Sequence, residues 1–232
     1  FEKYSNNFTK KPKEKMICIQ INSHDLSTFF GELCNSITSL KEHAFLFDPW
    51  ELIRLDRNEV RNTAILAWIL DPRGGHGLGN KALCALLEDI ACLQKYSRSL
   101  DNSLIVRKES NPDGYIRNRV DIEIESNDFY LIIEVKIDAN ESIEQLKKYG
   151  DLAKSRAGDR PWLILFLTTN AIEPSSAGIH LDSVKCISWE NLSIIIYQAL
   201  FANHSISNES FCAQRIMINQ LIKHFLSHIR NF

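Results

Sequence analysis

Residues 119–137, RVDIEIESNDFYLIIEVKI, constrain the chain more than any other stretch. Val120, Ile122 and Ile124 alternate with Asp121, Glu123 and Glu125, the period-2 pattern of a strand with one buried and one polar face. Ser126-Asn127-Asp128-Phe129 follows, and Asn and Asp tolerate the positive φ angles of a tight hairpin turn. Tyr130 to Ile137 is apolar on both faces except at Glu134 and Lys136, so it reads as a central strand covered on both sides. A buried Glu or Lys requires a partner or a ligand.

A two-residue turn at Asn127 and Asp128 sets Asp121 directly opposite Glu134, and Arg119 opposite Lys136. Opposed side chains on one face have Cβ atoms roughly 5 Å apart. Two carboxylates that close repel unless a proton or a cation lies between them. A hard divalent ion such as Mg2+ suits the gap, because it prefers oxygen ligands and takes few of them from protein. The same spacing also allows plain ion pairing, Asp121 with Arg119 and Glu134 with Lys136, and spacing alone does not separate the two.

Asp121 followed one hairpin later by Glu134-Val135-Lys136 resembles the D…(D/E)xK core of the PD-(D/E)xK nuclease superfamily. The stretch NEVRNTAILAWILDPRGGHGLGNKAL, Asn58 to Leu83, is similar to the helix-and-loop region of a bacterial branch of that superfamily. Together the similar segments run from about Asp56 to Tyr149. The resemblance implies an α/β fold with a restriction-endonuclease-like core, a central mixed β-sheet flanked by helices on both faces. It implies metal-dependent phosphodiester hydrolysis, with duplex DNA as substrate and restriction, repair or phage defence as the setting. Asp121, Glu134 and the carbonyl of Val135 would hold Mg2+, with Mn2+ as a substitute, and Lys136 would orient a water. Glu59 matches a first-helix glutamate that joins the metal site in many relatives. Gln145 and Tyr149 resemble a Q-x-x-x-Y element that some members place beside the catalytic lysine. A module of the same fold without turnover, binding nucleic acid or protein, is the alternative.

Several of these residues also have ordinary structural readings. Asp56-Arg57-Asn58-Glu59 opens a helix running to about Leu70, where Asp71-Pro72 ends it, and Asp56 with Glu59 has capping-box spacing. Glu59, Thr63 and Leu66 share one face of that helix. Gln145 and Tyr149 share a face of a helix from about Glu141 to Ala157, with Ile143, Leu146 and Leu152 packed inward. Arg73 to Lys81, RGGHGLGNK, is not a phosphate-binding loop: it follows a helix instead of a strand, and no Ser or Thr follows the lysine. Its glycines let the backbone turn sharply between two helices, and His76 is a candidate contact to a DNA phosphate. Arg117 and Arg119 flank the acidic pair and are candidates for the same contact. Pro112-Asp113 before Glu134-x-Lys136 matches the superfamily's name literally. Asn111-Pro112-Asp113-Gly114 explains Asp113 as a turn residue, so Asp121 is the better candidate.

The remaining chain is consistent with one domain over residues 1–232: a helical extension to 55, a core over 56–203 and a C-terminal helix over 204–232. Apolar spacing predicts helices over Leu26–Leu40, Asn80–Lys95, Trp189–Phe201 and Phe211–Ile229, and strands at Leu104–Lys108, Trp162–Leu167 and Val184–Ser188. A net charge of −2 excludes a uniformly basic surface but not a local basic groove. It fits a nuclease that grips DNA with the help of a homodimer or partner subunit. The tail Phe1 to Lys15 carries Lys10, Lys11, Lys13 and Lys15 and reads as solvated. The chain opens on Phe1 without Met, which leaves room for sequence upstream. No run reaches the ~18 apolar residues of a membrane span, and no signal peptide is read. The six cysteines form no C-x-x-C pair, so buried, reduced thiols in a cytoplasmic protein are expected.

Overall fold

A computed structural model of the protein describes residues 23–42, 47–100, 103–112, 114, 119–139, 144–202 and 213–232. Two compact units divide the chain, Phe1–Phe47 and Asp48–Phe232. In the first, helix α1 spans Ser23–Glu42, enclosing the segment whose apolar residues recur at helical spacing. All further elements belong to the second unit.

Its centre is a five-stranded sheet in the order β1-β2-β3-β4-β5, made of Ile105–Ser110, Val120–Glu125, Tyr130–Val135, Trp162–Thr168 and Val184–Ser188. Strands β1, β2 and β3 run antiparallel to their neighbours, whereas β3, β4 and β5 are parallel. The hairpin register is the one the sequence specifies: Ile122 pairs with Ile133 and Glu125 with Tyr130, and Ser126 N–H bonds the carbonyl of Phe129 at 3.1 Å. β3 is buried along its whole length, as expected for an apolar run at the sheet's centre.

Helices cover both faces. Leu66, Ile69 and Leu70 of α3 (Glu59–Leu70), Leu83, Leu86 and Leu87 of α4 (Lys81–Glu88), Leu192 and Ile196 of α6 (Trp189–Tyr197), and Ile222 and Phe225 of α7 (Ala213–Ile229) form one core with Ile122, Ile124, Ile133 and Val135. On the other face α5 (Gln145–Ala157) lays Leu146, Tyr149, Leu152 and Ala153 against Tyr130, Ile132, Ile164 and Phe166. A short helix α2, Pro49–Leu52, is capped by Asp48 and docks through Trp50, whose Nε1 donates to the carbonyl of Leu221.

Four local expectations need correction. The acidic face of β2 is not a solvent face, because α5 covers it and Glu123 is 1% exposed. Its carboxylate is held by Tyr130 Oη at 2.8 Å, by Ser110 Oγ and by Arg107 at 3.2 Å. The helix predicted over Asn80–Lys95 stops at Glu88 and continues as turns to a 3-10 segment, Gln94–Tyr96. Ile90 and Leu93 are still buried. The capping box does not form: α3 begins at Glu59, and Asn58 caps it by accepting from Arg61 N–H at 3.0 Å. Asp56 instead adopts φ 43° and offers its carbonyl to Asn62 and His228. Finally, Cys34, Cys84, Cys92 and Cys186 are not buried, each being at least partly exposed. Cys18 and Cys212 lie outside the described residues.

Candidate active site

The hairpin register puts Asp121 across from Glu134 at the open end of the β2–β3 pair. Asp121 Oδ2 accepts the N–H of Val135 at 2.8 Å, which locks the aspartate against the backbone of the opposite strand. Glu134 is 1% exposed. Its Oε1 receives Lys136 Nζ at 2.7 Å and Gln145 Nε2 at 2.6 Å, while Oε2 is buried with no hydrogen-bond partner. Lys136 lies 3.9 Å from Glu59 Oε1, and Glu59 Oε2 accepts the N–H of Ile137 at 3.1 Å. Freed from the cap by Asn58, Glu59 closes over the end of β3. Arg57 braces the same corner, with its guanidinium 2.8 Å from Asp138 and a bond to the carbonyl of Ile137.

From α5, Gln145 reaches the same carboxylate, and Tyr149 stands behind Gln145. Gln145 Nε2 lies 3.1 Å from Tyr149 Oη, which donates to the carbonyl of Arg119 at 2.7 Å. They stand one turn apart on α5, whose first turn is tied down by Ser176: its Oγ accepts Leu146 N–H and its carbonyl accepts Lys147 N–H. Gln145 is therefore a contact of Glu134 and not a solvated residue. Glu59, Asp121, Glu134, Val135, Lys136, Gln145 and Tyr149 form one connected cluster.

The other candidates fall elsewhere. His76 is 2% exposed and uses both ring nitrogens: Leu78 N–H donates to Nδ1 at 3.0 Å, which leaves Nε2–H to donate to the carbonyl of Asp71 at 2.9 Å. It is a structural residue of the loop and cannot reach a phosphate from there. The glycines around it earn their place by backbone geometry, Gly75 and Gly77 having φ of 74° and 70°. Arg119 keeps its side chain half-exposed and pairs with Glu109 at 3.4 Å, acting on Asp121 only as a more distant charge. Of the two alternative ion pairs, Glu134 with Lys136 forms, and Arg119 is engaged by Glu109. Arg117 and Asp113 lie outside the described residues. Gly114 N–H bonds the carbonyl of Asn111 at 2.9 Å, as a turn there requires.

Electrostatics follow from this crowding. Burial, then the charge of Asp121, push Glu134 up to about 8 against the pull of Lys136. Asp121 is also raised by burial, with Val135 N–H and Lys136 opposing. Burial alone would lower Lys136, but Glu134, Glu59 and Asp121 more than offset it, so the ammonium stays charged. Tyr149 is raised by burial and by Glu134 and remains a neutral donor. At neutral pH the two carboxyls therefore hold a proton where a cation would serve as well.

The fold agrees with the outcome of comparison: a family model for the PD-(D/E)XK nuclease superfamily matches residues 47–227. The chain belongs to that superfamily. No curated protein and no solved structure matches it significantly. Nucleases of this superfamily generally use divalent metal ions, and the residues present fit one. Glu134 Oε2 receives no protein N–H and lies beside a second carboxyl group, and once its proton leaves the two form a hard-oxygen pair of the kind Mg2+ prefers. Among the described residues no set of three or more His, Cys, Asp or Glu is grouped as a metal cage. No helix among the described residues is long and apolar enough to cross a membrane.

Sequence reading missed the neighbouring ion cluster. Arg107 pairs with Glu123 and Glu125, and Arg156 and Arg160 reach Glu125 at 3.2 and 3.5 Å. These residues come from β1, β2, the last turn of α5 and the segment just after it, so only the tertiary fold brings them together.

Proposed function

We propose that the protein is a metal-dependent endodeoxyribonuclease that hydrolyses phosphodiester bonds of duplex DNA, with Mg2+ as its ion and Mn2+ as a substitute. One observation carries the reading: a buried glutamate, one oxygen held by a lysine and a glutamine, the other without a partner beside a second carboxylate. Asp121, Glu134 and the carbonyl of Val135 would hold the ion. When bound, a divalent ion polarises the phosphate, lowers the pKa of its water and neutralises charge on the leaving oxygen. Lys136, kept charged, orients the attacking water and favours its deprotonated form. Gln145 and Tyr149 fix the rotamer of Glu134 from the opposite side, holding its free oxygen in place. Glu59 accepts the N–H of Ile137 and would support a bound ion from there. Arg119, exposed at the rim, contacts a backbone phosphate. A homodimer or partner subunit adds grip that a chain of net charge −2 lacks. Restriction, repair and phage defence are the settings in which such an activity serves a bacterial cell.

The test is incubation with supercoiled plasmid, linear duplex, single-stranded DNA and RNA, with and without Mn2+. Metal-dependent nicking or linearisation of the plasmid is the expected result. Cleavage of RNA alone would reassign the substrate, and no cleavage of any of them would overturn the enzyme.

Glu59 gives a graded second test. Because Asn58 caps α3, Glu59→Gln leaves the metal-free melting temperature nearly unchanged, Gln still accepting from Ile137 N–H. Cleavage at low Mg2+ is expected to fall by about tenfold or more, the size of effect that residues supporting a metal shell have. High Mn2+ recovers part of it. A Glu59→Gln protein that cuts normally at low metal would remove Glu59 from the site.

A further inference from the structure

β4 ends at Thr168, and the β3–β4 ladder brings that residue to the site. Val135 pairs with Leu167, and Lys136 N–H donates to the carbonyl of Leu167 at 2.8 Å. One step further along this parallel pair, Thr168 stands beside Lys136 on the adjacent strand, about 4.8 Å away. Side chains alternate along β4: Leu163, Leu165 and Leu167 enter one core, and Ile164 and Phe166 the other. Thr168 therefore projects on the side of Phe166, whose ladder partner is Glu134. Thr168 is 8% exposed, and its hydroxyl has no hydrogen-bond partner.

Burying a hydroxyl unpartnered is unfavourable, and a valine of the same shape would avoid it. The hydroxyl does nothing for the free protein that its neighbours can detect. What it offers is a neutral donor at the end of β4, beside a lysine already committed to Glu134. Among the described residues no acceptor takes the hydroxyl's hydrogen, so the acceptor it lacks is one supplied from outside. A phosphodiester brings two non-bridging oxygens that accept hydrogen bonds from hydroxyl groups.

We propose that Thr168 touches substrate, its hydroxyl donating to a non-bridging oxygen of the phosphate under attack. This rests on the nuclease reading above and adds to it a donor on β4 that the D…ExK pattern does not contain. The contact tightens as charge builds on that oxygen, so it acts mainly on turnover.

Thr168→Val and Thr168→Ser, assayed beside the wild type on plasmid and linear duplex with Mn2+, decide the matter. For Val the metal-free melting temperature stays level or rises, while kcat falls by about a hundredfold with KM little changed. Ser, which keeps the donor, stays within about threefold of wild-type kcat. A Val variant that cuts like the wild type overturns the inference while leaving the nuclease reading intact. So does a Val variant whose melting temperature and activity fall together, since that is the mark of a structural hydroxyl. A wild type inert on every substrate and metal overturns the nuclease reading first, and this inference with it.

Discussion

Glu134→Gln abolishes cleavage and, in the absence of metal, makes the protein more stable. Gln keeps the shape and still accepts from Lys136 and Gln145 through its carbonyl, but it is a poor ligand for a hard divalent ion. The gain in stability comes from proton linkage. Glu134 is shifted upward to about 8, so between its unfolded value near 4.5 and about 8 the folded state binds the proton more tightly. Stability that depends on that proton is complete below the unfolded value and is lost as pH rises through the folded one. The metal-free wild type should thus weaken from pH 5 to pH 8, while Glu134→Gln, which has no proton to lose, should not. The difference at pH 8 is expected to be on the order of 1–3 kcal/mol and close to zero at pH 5. Mg2+ then stabilises the wild type by binding the folded state alone and leaves Glu134→Gln unmoved. Lys136→Ala loses cleavage too. Equal pH profiles for wild type and Glu134→Gln would show that the carboxyl pair is not strained.

The largest expected loss of stability lies outside the site, at Glu123. This carboxylate is 1% exposed and accepts from Tyr130, Ser110 and Arg107, with Arg156 3.9 Å away. Removing one partner of a buried charged network costs about 3–5 kcal/mol, because the others are left without compensation. Glu123→Ala should therefore lower the melting temperature by about 10 °C. Glu125→Ala should cost much less, since Glu125 is partly exposed and the arginines around it reach water. Tyr130, raised by burial and by Glu123, remains a neutral phenol across the accessible pH range. Its hydroxyl would become a buried donor without an acceptor in Glu123→Ala. Comparable melting temperatures for the two variants would show that the cluster is as well solvated as an ordinary surface pair.

These two carboxylates also mark how far the sequence could be read. Asp121 opposite Glu134 was legible because a two-residue turn and strict alternation leave a hairpin one register. A slip by one residue would turn Ile122 and Ile124 out of the core. The same alternation misled at Glu123, because a polar face in sequence is silent about whether a helix will cover it. α5 lies over that face, and partners from three other places in the chain, Tyr130, Ser110 and Arg107, with Arg156 of α5 further off, make the burial tolerable. Glu59 shows a related ambiguity. Asp56 and Asn58 are both good capping residues, and the choice of Asn58 follows from a backbone turn at Asp56 that no local pattern announces. His76 was misread because an isolated loop histidine looks accessible. It is buried by its own loop, whose left-handed glycines curl the chain back onto Asp71 and Leu78. Thr168 carries no sequence signal beyond ending an apolar strand, and becomes conspicuous only when its hydroxyl is found without a partner.

The measurement that bears most directly on the site is calorimetric titration of Mn2+ into the wild type and into Asp121→Asn at pH 7, in buffers of different ionisation enthalpy. Saturable binding with release of a proton is expected for the wild type, because the ion takes the place of the proton shared by Asp121 and Glu134. Asp121→Asn is expected to bind weakly or not at all. Equal binding by both proteins, or none by the wild type, would contradict a metal site at this carboxylate pair.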